Sequence, residues 1–334
     1  MKLAWLPFLH VVALVVTFGT AHAQDKTYVM KIGIPTVNNA SHQFAKNFAA
    51  AVERDSGGRI KTQVFPSSQL GAIPRMIEGA QFGTIECIVI PPEFFTGVDE
   101  RFEIMAAPGL VSSMEQAQRL AADPAVLKLM LGLGADKGLH GIAMLLDAPN
   151  ELAARTPINH VSALKGKKIR VFASQFETAP LERLGATPVA MTLGDVLPAL
   201  QQGAIDGALV GITVLSAMHF NDAAKYVTHL GQPMVFDMVE LSRKWFDNLP
   251  PDLKEIVEKD AATESVAINP FASELVDKAF HAWTDSGGEV INLPPDEYAA
   301  LINTLSAAAK EIADQKGSIG TAYQIINDAS KRLQ

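Results

Sequence analysis

The sequence predicts an α/β protein built as two lobes around a cleft, and three observations predict it. Apolar runs read as strands alternate with runs of helical spacing across short turns, the order of βαβ units in a parallel sheet with right-handed crossovers. Two extended apolar segments, near Asp147 and near Phe236, carry the chain between lobes and back, as a hinge of paired strands would. A chain of 334 residues, 48 % of them hydrophobic, holds enough material for two cores.

Residues 1–23 read as a cleaved leader. Lys2 supplies the positive start, Leu3 to Phe18 is mostly apolar, and Ala21-His22-Ala23 is a small-x-small cleavage site before Gln24. The apolar run is short and lacks a stop-transfer flank, which favours a leader over a membrane anchor. Cleavage after Ala23 leaves 311 residues (334 minus 23) with a formal charge of −9, since Lys2 is the only charge removed from a total of −8. This acidity argues against nucleic-acid binding and fits a soluble, exported protein. Cys87 is the only cysteine, which excludes an internal disulfide, a thiolate metal cluster and a paired redox motif. It lies in the strand-like run Ile85 to Ile90 and reads as a small buried hydrophobe.

The elements follow in order. Tyr28 to Ile34 is the first strand and Pro35 to Asn39 the turn after it. His42 to Asp55 carries Phe44, Phe48, Ala51 and Val52 on one helical stripe and stops at Gly57-Gly58. Arg59 to Phe65 is a strand, Met76 to Phe82 a helix, and Ile85 to Ile90 a strand that delivers Pro91 to Phe95 to the same edge as Pro35 to Asn39. Glu115 to Leu133 has one helical pattern. Gly141 to Leu146 is a strand, with the crossing at Asp147 to Asn150. Beyond it come the strand around Ile169 and Val171, a helix from Ala173 to Leu184, a short strand ending at Met191, and a helix from Asp195 to Gln202 capped by Thr192 or Gly194. Gly203 to Leu209 is a strand with its acid at Asp206, and Gln232 to Glu240 is the long strand that crosses back. Leu253 to Ser286 is periodic, with Pro270 as its only breaker. Val290 to Leu293 is a last strand, followed by helices from Asp296 to Asp314 and Ile319 to Leu333. The expected lobes are 24–147 with about 236–282, and 148–235 with about 283–334.

Arg170 is the residue this pattern singles out. Ile169 and Val171 form the buried face of its strand, so the guanidinium turns the other way, towards the cleft or solvent. Ligands of open α/β sheets sit beyond the carboxyl ends of strands, and arginine there offers a rigid fork for a carboxylate; a surface ion pair is the alternative. Nothing points to catalysis. There is no HExxH, Gly-x-Ser-x-Gly or GxGxxG, and the histidines at 42, 140, 160, 219, 229 and 281 lack metal-ligand spacing. Met144, Met191 and Met218 read as core filler. No enzyme activity and no cofactor are expected.

The joint order of SGGRI (residues 56–60), VFPSSQLG (64–71), KGKKIR (165–170) and QQGAIDG (201–207) resembles the DctP family, the extracytoplasmic solute-binding proteins of tripartite ATP-independent periplasmic (TRAP) transporters. The resemblance spans the mature chain. It implies a type II-like periplasmic binding protein fold with a long helix across both lobes, a periplasmic location, and the small and large TRAP membrane subunits as partners. It also implies that Arg170 binds the substrate carboxylate. The chain departs from the sialic-acid-binding branch: Asn150 stands where that branch has a second arginine, Val210 where it has an asparagine, and Ala173 where it has a polar residue. These departures argue against sialic acid. Phe94, Phe172, Leu193, Val210 and Phe236 are the expected apolar lining, with Asn38, Asn150 and Thr213 as polar partners. Phe172 shares the strand face of Arg170. Glu93 is either a rim acid or a contact for an ammonium or hydroxyl. Together these favour a small monocarboxylate, dicarboxylate or aromatic or hydroxy acid bound by a monomer. A binding protein of an ATP-driven importer shares the two-lobed architecture but not this motif order, and a ligand-sensing partner of a membrane sensor kinase is a reading from another class.

Overall fold

The computed structural model describes residues 26–315 and 317–334; the leader expected at residues 1–23 lies outside them. Three parallel strands open the chain: β1 (Tyr28–Gly33), β2 (Ile60–Phe65) and β3 (Cys87–Ile90), ordered β2-β1-β3. Between them run α1 (Ala40–Asp55), whose Phe44, Phe48 and Val52 are buried, and α2 (Ile73–Phe82), which ends at Gly83 in the left-handed region. Cys87 is buried, and burial pushes its thiol upward, so it behaves as the expected small hydrophobe. The helix expected from Glu115 to Leu133 is two, α3 (Met114–Ala121) and α4 (Pro124–Met130). Asp123 accepts hydrogen bonds from the Ala125 and Val126 amides, and Pro124 takes the first turn of the second helix.

The next strand, β4 (Leu139–Ala154), runs unbroken through the expected crossing at 147–150. Its first part pairs antiparallel with β9 (Met234–Ser242), which also pairs with β3. Its last residues, Asn150 to Ala154, pair with β7 (Gly207–Gly211). Beside β7 lie β5 (Lys168–Val171) and β6 (Thr187–Ala190), all three parallel, with α5 (Gln175–Arg183) and α6 (Leu193–Gln201) as crossovers. The sheet order is therefore β2-β1-β3-β9-β4-β7-β5-β6, two parallel blocks joined by one long antiparallel pair. β7 begins four residues later than expected, because Gly203 ends α6 in the left-handed region. A short helix α7 (Ile212–Ala217) follows it, and β8 (Tyr226–Thr228) pairs with the end of β4.

The long periodic stretch is also divided. After α8 (Arg243–Asp247), α9 (Pro251–Ala267) packs on α1, whereas α10 (Asn269–Asp285) packs on α7, with Trp283 fully buried. Pro270 in the first turn of α10 explains the interruption. Residues 276–282 thus pack against the second block, where the first was expected, while Ala272 joins the core of the first. After β10 (Glu289–Ile291), α11 (Pro295–Gln315) packs on α5, but α12 (Gly317–Arg332) crosses back onto α3 and α4, where Ile319, Ala322 and Ile326 complete a core of the first block. The expected placement of the whole C-terminal segment with the second lobe is corrected by that apolar stripe.

Gly141 on β4 shows how tightly the shared strand pair is covered. A Cβ there would lie 2.8 Å from Leu131 Cα and 2.9 Å from Leu131 O, backbone atoms that cannot rotate away. Gly141→Ala is expected to destabilise the fold by about 1 to 3 kcal/mol. Gly97→Ala, at an exposed site with nothing within 4 Å, should stay within about 0.5 kcal/mol of wild type. Urea unfolding of both variants checks the difference, and equal stabilities would refute it.

Candidate functional site

The carboxyl ends of the two parallel blocks face each other across the β4–β9 pair, and a pocket lies there. It is lined by Pro35, Thr36 and Asn39 after β1, Pro91 and Phe94 after β3, Arg170 and Phe172 at the end of β5, and Leu193 after β6. Val210 and Gly211 come from β7, and the joining strands contribute Asp147, Val235 and Asp237. The empty space within it is about 410 Å³.

Arg170 is fully buried. Its strand lies between β6 and β7, so carbonyls on either side reach the guanidinium: Nε donates to Met191 O at 3.0 Å and Nη1 to Leu209 O at 2.9 Å. Phe172 lies on the same side, with Cζ of Arg170 4.4 Å from its ring centroid, and Phe94 meets Phe172 edge-on at 5.4 Å. Nη2 is buried with no partner from the protein. Burial lowers the guanidinium to about 10 against the raising influence of Glu177 and Glu93, so it remains charged at neutral pH. The surface ion pair is ruled out by this burial.

Two buried acids, Glu177 and Glu93, act on this cation, and two buried aspartates line the same pocket. Glu177 accepts the Phe172 amide at 2.9 Å, while its Oε1 has no partner. It also lines an adjoining cavity walled by Leu152, Leu181, Leu209 and Leu230, and burial pushes its carboxyl to about 7 despite the charge of Arg170. Glu93 is buried, not a rim acid, and Oε2 is unpartnered; burial, reinforced by the charge of Glu177, holds it well above the usual carboxylate range. Asp147 accepts Asn39 Nδ2 at 3.0 Å and the Ala40 amide at 3.1 Å, and Asp237 accepts the Ser41 hydroxyl. Burial pushes both aspartates upward, and each stands in the field of the other.

Of the residues singled out by sequence, Arg170, Phe172, Phe94, Leu193 and Val210 line the pocket together. Asn38 is exposed with φ of 56°, and its neighbour Asn39, the cap of α1, lines the pocket instead. Phe236 is buried in the core on the opposite face of β9, between the pocket residues Val235 and Asp237. Asn150 and Thr213 are buried behind Gly211: Asn150 is its register partner, and Thr213 Oγ1 is 3.8 Å from its Cβ position. Neither lines the pocket. Asp147, Asp237 and Glu177 are the residues the sequence reading missed. Each carried a signal: the aspartates are acids flanked by apolar residues inside strand runs, and Ser174-x-x-Glu177 has the spacing of a capping box.

Comparison with known proteins places this geometry. The family model "Bacterial extracellular solute-binding protein, family 7" (DctP) matches residues 34–316. An uncharacterized protein of Salmonella typhimurium, YiiZ, is 30 % identical over 208 residues, which span 62 % of this chain and 64 % of that protein. The C4-dicarboxylate-binding periplasmic protein DctP of Rhodobacter capsulatus is 27 % identical over 277 residues, 82 % of this chain and 83 % of that one. A TRAP periplasmic solute binding protein from Desulfovibrio salexigens, solved with bound orotic acid, superimposes with a TM-score of 0.87 at 24 % identity, covering 92 % of this chain and 100 % of the other. The two-lobed α/β fold is thus that of the periplasmic binding proteins. With the family model spanning most of its length, the chain belongs to the DctP family, the solute-binding proteins of TRAP transporters, which are not enzymes.

Proposed function

We propose that this protein captures a small organic acid in the periplasm through a pair between Arg170 and the ligand carboxylate, and delivers it to the small and large TRAP membrane subunits. The observation that carries the reading is the buried, unpartnered Nη2 of Arg170 at a pocket lined, among the described residues, by no other cation. Two backbone carbonyls hold the guanidinium in place before any ligand arrives, so little side-chain entropy is lost on binding. Nη1 spends one of its two protons on Leu209 O, and the remaining one points with those of Nη2 towards a planar acceptor, a carboxylate. The relatives support an acid, since one is named for C4-dicarboxylates and another holds orotic acid. Phe94, Phe172, Leu193 and Val210 would flank the ligand's carbon skeleton. Export with cleavage after Ala23 is part of the same reading.

Replacing Arg170 by alanine removes two charge-assisted hydrogen bonds and leaves the carboxylate desolvated and unpaired. The expected loss is about 2 to 5 kcal/mol of binding, roughly 30-fold to several thousand-fold. Arg170→Lys should recover only part of this, keeping the charge but not the fork. Titration calorimetry with the best carboxylate from a thermal-shift screen measures both, with circular dichroism melts as the folding control. Binding by folded R170A within about threefold of wild type would remove the arginine from the site.

A second expectation concerns pH. Glu177 is raised from 4.5 to about 7 in the folded protein, so it keeps its proton where the unfolded chain has released its own. Its contribution to stability is full below about pH 4.5 and is lost as the pH rises through about 7. Asp147 and Asp237, raised likewise, act in the same direction. Ligand-free protein should therefore lose stability between pH 5 and pH 8. Glu177→Gln, which can still accept the Phe172 amide, should make that decline shallower by up to about 3 kcal/mol. Melting profiles of wild type and E177Q across this range check the slope; parallel profiles would show that Glu177 does not titrate there.

A further inference from the structure

The pocket has two chemically different sides, and resting on the reading of Arg170 above, they define the ligand further. Around Arg170 lie Phe94, Phe172, Leu193 and Val210; the joining strands and the start of α1 present Asp147, Asp237, Asn39 and Thr36. Among the described residues Arg170 is the only cation lining the pocket, against two aspartates, while Glu93 and Glu177 stand close enough to act on it. A ligand carboxylate that settles on Arg170 neutralises that cation and leaves the acids opposed by nothing. In a buried site the acids are relieved either by holding their protons, as their raised carboxyls allow, or by positive charge that enters with the ligand.

One of the two aspartates is also incompletely bonded. Asp147 receives Asn39 and Ala40, but Asp237 receives only the Ser41 hydroxyl at Oδ2, and no donor from the described residues reaches its Oδ1. Among the described residues no group of three or more acids, histidines or cysteines is arranged to hold a metal ion, and a positively charged group on the ligand is the partner that the two aspartates fit.

We infer that the ligand carries a protonated nitrogen at the end remote from its carboxylate, and that Asp147 and Asp237 receive it. The ligand is a zwitterion laid across the cleft, with its carboxylate on β5 and its ammonium, or amidinium, on the strands β4 and β9.

The test is titration calorimetry with wild-type protein and three matched pairs, in which a terminal NH3+ replaces a terminal CH3: β-alanine with butyrate, 4-aminobutyrate with pentanoate, and 5-aminovalerate with hexanoate. In the pair of the right length the amino acid should bind at least about tenfold more tightly, or about 1.4 kcal/mol. In Asp237→Asn that ratio should fall to within about twofold. Plain acids binding as well as, or better than, their amino partners would overturn the inference and leave the reading of Arg170 standing. Equal binding of 4-hydroxybutyrate and 4-aminobutyrate would overturn it in favour of a neutral donor. Failure of the whole panel to bind, with a carboxylate from the thermal-shift screen binding through Arg170, would overturn this inference and leave the reading of Arg170 standing. The wild-type ratios decide the matter even if D237N does not fold.

Discussion

The structure depends on how a fully buried guanidinium is held without a carboxylate bonded to it. Desolvating a permanent cation is unfavourable, and the fold offsets it with backbone dipoles and a ring face. β5 lies between two parallel neighbours, so the ends of β6 and β7 bring the Met191 and Leu209 carbonyls to Nε and Nη1, while Phe172 lies beneath Cζ. The arginine thereby ties three strand ends together and has one orientation. Its third nitrogen is left buried without a protein partner, the other two being engaged by those carbonyls.

Around that cation the chain breaks its own local rules in a concentrated way. Glu177 has the position of a capping-box acid, yet its carboxylate reaches the Phe172 amide, which fixes the exit of β5 at the residue that stacks on Arg170. Asp147 follows the same logic on the other side: it sits where the β4–β9 register shifts between Leu146 and Ala148, and an extra residue at such a bulge turns a side chain that regular pairing would send elsewhere. It spends its oxygens on the first residues of α1. Violations of patterning gathered at one place are what a binding site requires of a stable fold.

Much of the architecture was legible because it rests on periodicity. The stripe of Phe44, Phe48 and Val52 is long enough to reveal α1, and the alternation of Ile169, Arg170 and Val171 correctly set Arg170 apart from the packed face. The same alternation put Phe172 on the side of Arg170, and both line the pocket. Two other candidates miss it by one residue: Asn38 for Asn39, and Phe236 for Asp237. Hydrophobicity draws the eye to the phenylalanine, but strand parity puts the acid in the pocket. The split between α3 and α4 was visible in Asp123-Pro124, a cap followed by a first-turn proline. The return of α12 to the first block was not, because nothing local says which core an amphipathic helix will cover.

The shared strand pair has a mechanical consequence. β4 and β9 belong to both halves of the molecule and remain hydrogen-bonded to each other from Leu139 through Pro149. Two laced ribbons resist sliding past one another, since slip would break the ladder, but they flex across their thin direction with little loss of bonding. The halves are therefore coupled through a leaf spring whose ladder is interrupted at two register shifts, one of them at Asp147. Because Asp147 also grips the start of α1, the strand pair that joins the halves is tied directly to the pocket wall.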